Sequence, residues 1–403
     1  MNILVVAPDF YPTNGGYANA INNFVSSLAN ESGGKMQIVI FTRIPLGLSA
    51  EIQLPNVTVV RFSMNNFLIA FKVWEIVSFF KIRTILKKQH TDVIFFETAE
   101  FGLLGYLTTA LFKRVLVRIH ACTETEVAMW GDRVYDRVHS FFIKIFLRKV
   151  KWVLSTNRYH VEFYKKFFLK ENIYKIAKKT FFIVPNIVPS VADMEQKEEE
   201  KSDLLERYGI TLQSNQRIFF SLGRLNAVGL IQKGFEDFIY ATHLIKTEDA
   251  HILGDMKVVL VGDGEFTPSI LKLIESLNLC DTFHIIPKMN HDDVMGFMKI
   301  STSVVLLSRF EGLSMFALEA LSSGAPLIFS KTGGLSDLVS LDNGFLVPPQ
   351  DIESIKNALV FMATAEESVI DRMRLASKKH FSENFNSSTT IRKFIGVINL
   401  ISK

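Results

Sequence analysis

The feature that most constrains this chain is an alternation, made twice over, of short β-branched runs with longer stretches of helical period. From the first residue the runs ILVVA, QIVIF, VTVVRF, DVIFF, RVLVRI, WVLST and TFFIV recur, separated by helix-period stretches such as Ala18 to Ala29, a long one reaching about Lys88, and Arg158 to Phe168. Apolar runs of this kind, set between helices, predict parallel strands covered on both faces, hence a doubly wound α/β sheet. The pattern breaks at residues 190–203, SVADMEQKEEEKSD, a charged stretch that follows Pro185, Asn186 and Pro189 and reads as a linker. It resumes with RIFFSLG and runs through KVVLVG, FHIIP, SVVLLS, PLIFS and FLVPP, with helices over Phe235 to Ile245, Ser269 to Leu277 and Leu313 to Leu321. Two Rossmann-like domains in tandem are therefore expected, at residues 1–190 and 191–385, with a last helix at about 386–403 that could return to the first. In open α/β sheets ligands collect beyond the carboxyl ends of the strands, so two such halves are expected to face a central cleft.

Size supports the division. The chain's 403 residues exceed the roughly 250–300 at which a single core stops growing. Its only cysteines, Cys122 and Cys280, lie far apart, with no Cys or His at metal-ligand spacing, so no disulfide framework or zinc site is indicated and a reducing cytosol fits. The opening MNILVVAPDF has no basic segment before its apolar run and reads as a buried strand, not a signal peptide, with the mature chain starting at Met1. The most apolar stretch, Phe67 to Leu86, is interrupted by Lys72, Glu75, Lys81 and Arg83 and cannot span a bilayer. Charge is asymmetric: residues 1–190 carry +11 and residues 191–403 carry −7, which together give the net +4.

Four places at strand ends could carry chemistry. After the first strand, Gly15 and Gly16 precede a helix, where backbone without side chains can approach an anion; a tight turn explains them as well. Gly223 and Arg224 follow a strand, with Lys233 and Gly234 opening the next helix, and two cations there could hold a diphosphate or simply be solvated. In SRFEGLSMFALEALSSGAPLIFSKTGG, Glu311 and Gly312 form a turn after a strand and Leu313 leads into a helix whose first amides, at Ser314, Met315 and Phe316, would attract phosphate. Glu319 inside that helix can accept two hydroxyl hydrogen bonds, as a ribose offers, and Glu311 can meet sugar hydroxyls or developing positive charge. A capped helix with two surface glutamates is the bland alternative. His120, at the end of RVLVRIH, could bind a sugar or stabilise a leaving group, or be structural.

In their order these motifs resemble glycosyltransferase family 4, retaining enzymes with a GT-B fold, the likeness covering nearly the whole chain and being strongest over residues 217–350. Glu311 and Glu319 match the family's E-x7-E signature, Arg224 with Lys233-Gly234 its GRL…KG pair, GDGE from Gly262 its G-D-G turn, Gly15-Gly16 its glycine loop, and Val184, Pro185 and Asn186 resemble its P-N-G turn. The chain departs from the pattern in the nine-residue spacing of Arg224 and Lys233, in Tyr17, Ala18 and Asn19 where a Glu is common, and in Ala121 after His120. The resemblance implies that Arg224 and Lys233 bind the donor diphosphate, Glu319 the ribose and Glu311 the donor sugar. Gly16 and the Ser314, Met315 and Phe316 amides would lie near phosphate or sugar, and His120 would be the first-domain active-site histidine. It implies transfer from a UDP- or GDP-linked sugar with retained configuration, by front-face attack, with no metal or other cofactor.

The acceptor is expected to be a lipid-linked glycan, or one of lipopolysaccharide or capsule assembly, because the basic half contains FKVWEIVSFFKIRTILKKQ and RVHSFFIKIFLRKVKW. Aromatics interleaved with Lys and Arg suit the anionic inner face of a cell membrane, although two helices packed on a sheet explain them equally. No nucleic-acid module accompanies the positive charge. A GT-B nucleotide-sugar epimerase, which needs more acid–base carboxylates, and a non-catalytic GT-B scaffold are the rival readings.

Overall fold

The computed structural model describes residues 1–8, 10, 16–43, 54, 56–62, 73–120, 134–170, 179–188, 201–213 and 215–403. They form two units, Met1–Ile187 with Ser387–Lys403, and Val188–Asn386.

In the first unit β1 (Asn2–Ala7), β2 (Gln37–Thr42), β3 (Val57–Arg61), β4 (Val93–Phe96), β5 (Val115–Ile119), β6 (Trp152–Ser155) and β7 (Thr180–Ile183) make one sheet in the order β3-β2-β1-β4-β5-β6-β7. Every pairing is parallel. The helices are α1 (Gly16–Glu31), α2 (Val73–Lys88), α3 (Gly102–Leu111), α4 (Val134–Lys149) and α5 (Arg158–Lys170). Successive strand side chains point to opposite faces, so Ile3 and Val5 pack with Ile21, Phe24 and Leu28 of α1. Leu4 and Val6 pack on the other face with Trp74 and Ile82 of α2, Leu104 of α3 and Phe146 of α4. Each such side chain, fully buried, contributes about 1.5–3 kcal/mol.

The second unit repeats the design with β8 (Arg217–Leu222), β9 (Met256–Val261), β10 (Phe283–Ile286), β11 (Ser303–Leu306), β12 (Leu327–Ser330) and β13 (Gly344–Val347), in the order β10-β9-β8-β11-β12-β13. All of these pairs are parallel too. Its helices are α6 (Lys201–Arg207), α7 (Ala227–Lys233), α8 (Phe235–Glu248), α9 (Ala250–Leu253), α10 (Thr267–Ser276), α11 (His291–Ile300), α12 (Met315–Ser323), α13 (Ile352–Thr364) and α14 (Glu367–Asn384), with a 3-10 turn at Gly333–Asp337. Both sheets contain the order 3-2-1-4-5-6, which reverses direction between its first and fourth strands and opens a crevice there.

Three local readings change. Of the stretch taken as linker, Lys201, Ser202 and Asp203 begin α6, whose Leu204 and Leu205 join the second core with Val188; residues 190–200 lie outside the described residues. Lys233 does not open a helix with Gly234. It closes α7, and Gly234 at φ 64° turns the chain into α8. A Cβ on Gly234 would lie 2.2 Å from the Leu307 carbonyl oxygen, so neither the conformation nor the space admits another residue. Finally, the strand pattern did not announce α13, which packs on β12 and β13, or α14, which packs on α12.

The last helix, α15 (Ser387–Ser402), belongs to the first unit. Ile391, Phe394, Ile398 and Ile401 enter the core that holds Phe24 and Phe95, and the Phe394 ring meets that of Phe24 edge-on at 4.7 Å. Among the described residues no helix is long and apolar enough to cross a membrane.

Candidate active site

In the second unit β8 and β11 lie side by side at the reversal of strand order, so the segments leaving them share one crevice. From β11 the chain runs through Ser308 to Glu311 and Gly312 and enters α12. From β8 it runs through Gly223 and Arg224 into α7, whose N-cap Asn226 accepts from the Gly229 amide at 2.7 Å. This short helix fills the nine-residue spacing and carries Lys233 back to the crevice, where its Nζ lies 2.6 Å from Glu311 Oε2.

Glu311 is held from several sides. Ser308 Oγ donates to Oε2 at 3.1 Å, and Gln232 Nε2 reaches Oε1 at 3.5 Å and the Phe310 carbonyl at 3.2 Å. The backbone of the loop is braced by the 3-10 turn. The Gly334 amide donates to the Gly312 carbonyl at 2.7 Å, and Gly333, at φ +49°, sits where a Cβ would come within 1.8 Å of the Glu311 carbonyl oxygen. Arg309, from the same loop, turns instead to Asp237 of α8 at 3.1 Å.

Arg224 is exposed and has no hydrogen-bond or ion-pair partner among the described residues. Ser314 caps α12 by accepting from the Ala317 amide at 3.4 Å. The Met315 and Phe316 amides, in the first turn, have no intrahelical acceptor and point out of its N-terminus. Leu313 and Phe316 bury their side chains in the core, so a ligand would meet only their backbone. Glu319, a turn further on, pairs through Oε1 with His291 Nε2 at 3.1 Å, and that bond raises the His291 pKa above its ordinary value against the opposing effect of burial. A pair of a cation and an acid at the crevice, a helix N-terminus beside it and a second acid behind it can receive a phosphorylated, hydroxyl-rich ligand.

In the first unit β4, β5 and β6 end in a buried polar cluster. Glu97, with no exposed surface, takes both oxygens to 3.2 Å from Arg118 Nη1, and Oε2 also lies 3.3 Å from His120 Nε2. The Arg118 guanidinium in turn lies 4.3 Å from the centre of the Phe24 ring. Burial lowers the His120 pKa, and Glu97 partly offsets it. Next to them His160, fully buried, is pushed down to about 4 by burial and by the charge of His120. Asn157 Nδ2 contacts its Nδ1 at 3.3 Å, and Asn157 Oδ1 accepts from its amide at 2.9 Å. Gly16 begins α1 after β1; Gly15 lies outside the described residues.

Residues 205–379 match the model of the family described as Glycosyl transferases group 1. That segment, less than half of the chain, is similar to the family's module. Among curated proteins it is 26% identical over 319 residues to the Escherichia coli UDP-Gal:alpha-D-GlcNAc-diphosphoundecaprenol alpha-1,3-galactosyltransferase, covering 77% of this chain and 75% of that enzyme. It is also 26% identical over 196 residues to the Bacillus anthracis N-acetyl-alpha-D-glucosaminyl L-malate synthase, covering 48% of each. Among solved structures, sucrose-phosphate synthase from Thermosynechococcus elongatus superposes with a TM-score of 0.74 at 18% identity, over 99% of this chain and 98% of that one. Anabaena HepE in complex with UDP superposes with a TM-score of 0.69 at 14% identity, over 99% and 100%. Likeness of this extent gives the chain a GT-B fold of two Rossmann-like units.

The matched segment holds Arg224, Lys233 and the whole run from Glu311 to Glu319. The structure brings Lys233 and Glu311 into contact and sets Glu319 on the adjoining helix. Sequence reasoning missed Glu97, Arg118, Ser308, Gln232 and His291. Three of these were open to the rule that chemistry gathers at strand ends: Glu97 follows β4, Ser308 lies just beyond β11, and His291 opens the helix after β10.

Proposed function

We propose that this glycosyltransferase moves a hexose or N-acetylhexosamine from a UDP- or GDP-linked donor to a hydroxyl of a lipid-linked glycan, with retention at the anomeric carbon. The observation that carries the proposal is the Lys233–Glu311 contact of 2.6 Å in the crevice where β8 and β11 diverge. Lys233 and Arg224 would neutralise the donor diphosphate, with the Met315 and Phe316 amides adding donors at a helix N-terminus. As the bond from the anomeric carbon to the diphosphate oxygen breaks, negative charge grows on the leaving group and positive charge on the sugar. Fixed cations favour the first and the Glu311 carboxylate the second, without reorganisation at the moment of reaction. The acceptor oxygen then bonds to the anomeric carbon from the same face, and its proton passes to the departing phosphate oxygen. With two protein cations at the diphosphate, the reading assigns no role to a divalent ion. His120, held by Glu97, would serve as a hydrogen-bonding group toward the sugar in the first unit.

The name of the Escherichia coli relative supports a UDP-sugar and a diphosphoundecaprenol-linked acceptor, and the UDP bound to HepE supports a uridine nucleotide. Incubation with α-linked UDP- and GDP-sugars and an undecaprenyl-diphosphate-linked sugar tests the proposal. An α-linked product, formed equally with a chelator present, is expected; a β-linked product or abolition by the chelator overturns the retaining, metal-independent reading.

A separate observation supports a location at the anionic inner surface of the cell membrane. Ile76 and Phe80 of α2 are 44% and 56% exposed, and Val138 and Phe141 of α4 are 42% and 57% exposed. Arg83 and Lys87 continue the α2 stripe and Arg148 the α4 stripe at helical spacing. Both helices lie on one sheet face, packed against α3. Apolar side chains flanked by cations suit a lipid interface, each basic residue near an anionic leaflet contributing about 1 kcal/mol. Sedimentation with anionic vesicles, released by high salt, is expected; recovery in the supernatant at low salt sinks this part of the proposal.

A further inference from the structure

Glu319 has a partner that the donor-site reading leaves without a role. His291 is the first residue of α11, and Glu319 sits within α12; the two helices follow β10 and β11 and pack against each other. His291 Nε2 lies 3.1 Å from Glu319 Oε1, with 49% and 16% of the two side chains exposed. An ionised carboxylate only accepts hydrogen bonds, so Nε2 carries the hydrogen and donates whether the ring is neutral or protonated. Because Asn290 caps α11 through the Asp293 amide at 2.8 Å, the backbone that carries His291 is itself fixed.

A glutamate on a helix surface loses rotamer freedom when a ligand first orders it. One ordered beforehand does not. The geometry points to His291 as the positioning residue of ribose recognition: by holding one oxygen of Glu319, it fixes the carboxylate in the orientation that accepts the vicinal hydroxyls of the donor ribose. This inference rests on the reading of Glu319 as the ribose ligand.

The surroundings leave His291 to this task. α12 carries no charged residue other than Glu319. From α6, Arg207 is engaged by Asp293, and from β8, Arg217 is bonded to the carbonyl oxygens of Met362 and Ala365. Asp292, its neighbour on α11, adds a second negative charge that, with Glu319, favours the protonated ring.

The test is calorimetric titration of UDP, GDP and their 2′-deoxy counterparts into wild type, H291A, H291N, H291Q and E319A. Wild type is expected to prefer a ribonucleotide over its deoxy form by roughly tenfold, the value of one charge-assisted hydrogen bond. H291A and H291N, which cannot reach Glu319, lose most of that preference while binding the deoxy form as wild type does; H291Q, whose amide can donate, keeps it. A wild-type preference in H291A or H291N, or an equal loss for both sugars, overturns the inference. No preference in the wild type, or an undiminished one in E319A, instead overturns the assignment of Glu319 to the ribose.

Discussion

Removing the charge of Lys233 separates donor binding from chemistry. Nζ lies 2.6 Å from Glu311 Oε2, and only 16% and 11% of the two side chains are exposed, so little solvent screens the pair. Lys233→Met keeps most of the stem and deletes the ammonium. A charge-assisted hydrogen bond contributes about 1.5–3 kcal/mol, so losing the one to the diphosphate weakens UDP or GDP binding roughly tenfold to 150-fold. Among the described residues the variant leaves Glu311 with Ser308 and Gln232 as donors, and its unbalanced negative charge then faces the incoming diphosphate. Glu311→Gln should therefore restore part of the affinity when added to Lys233→Met, a coupling on the order of 1 kcal/mol. Alone, Glu311→Gln should leave donor affinity near wild type and lower kcat by about a hundredfold, because it touches charge that develops only in the transition state. Calorimetry with UDP and GDP, with initial rates for each variant, measures all four corners of the cycle. Wild-type donor affinity in Lys233→Met would refute the reasoning outright, and strict additivity would mean that the Glu311 charge is not felt at the diphosphate.

Two further outcomes follow from packing and titration. Gly333→Ala places a Cβ against the Glu311 carbonyl at φ +49°, so it should destabilise the second unit by more than the roughly 1–2 kcal/mol that the backbone conformation alone costs. It should also lower kcat by displacing the Glu311 loop; unchanged Tm and kcat would show that the loop yields freely. For His160 the folded pKa, about 4, lies below the unfolded value near 6.5, so the unfolded chain binds more protons between those limits. Stability of the first unit should fall by about 3 kcal/mol as pH drops from 6.5 to 4, and should be insensitive to this group above 6.5. Hydrogen exchange of the β5 and β6 amides across that range should show a flatter slope in His160→Gln, and an identical slope would place the titration elsewhere.

Most of the architecture is legible in the sequence because parallel strands buried on both faces must be written as unbroken apolar runs. ILVVA, KVVLVG and SVVLLS are such runs, and each coincides with a strand. Less legible is α7, because AVGLIQK is one short, weakly amphipathic helix whose existence depends on the Asn226 cap and on Gly234 fitting against Leu307. That is why Lys233 reads as the start of a helix and is in fact the end of one. Glu97 is hidden by its context: an acid after VIFF looks like the polar boundary of a strand, and the approach of Arg118 and His120 makes its burial tolerable. His291 is concealed for the opposite reason, since a histidine in a helix's first turn is unremarkable until a helix from another crossover presents Glu319 to it.

The return of α15 to the first unit sets the order in which the molecule can be completed during synthesis. The second unit closes at Asn386, whereas the first, though begun at Met1, still lacks Ile391, Phe394 and Ile398 when the rest of its sheet has left the ribosome. Until the final segment emerges, Phe24 and Phe95 stay uncovered, so the earliest-made half is the last to mature. A chain ending at Asn386 should therefore yield a protease-resistant second unit and a degraded first one. Loss of α15 would thus appear as instability of the first unit, distant from it in sequence.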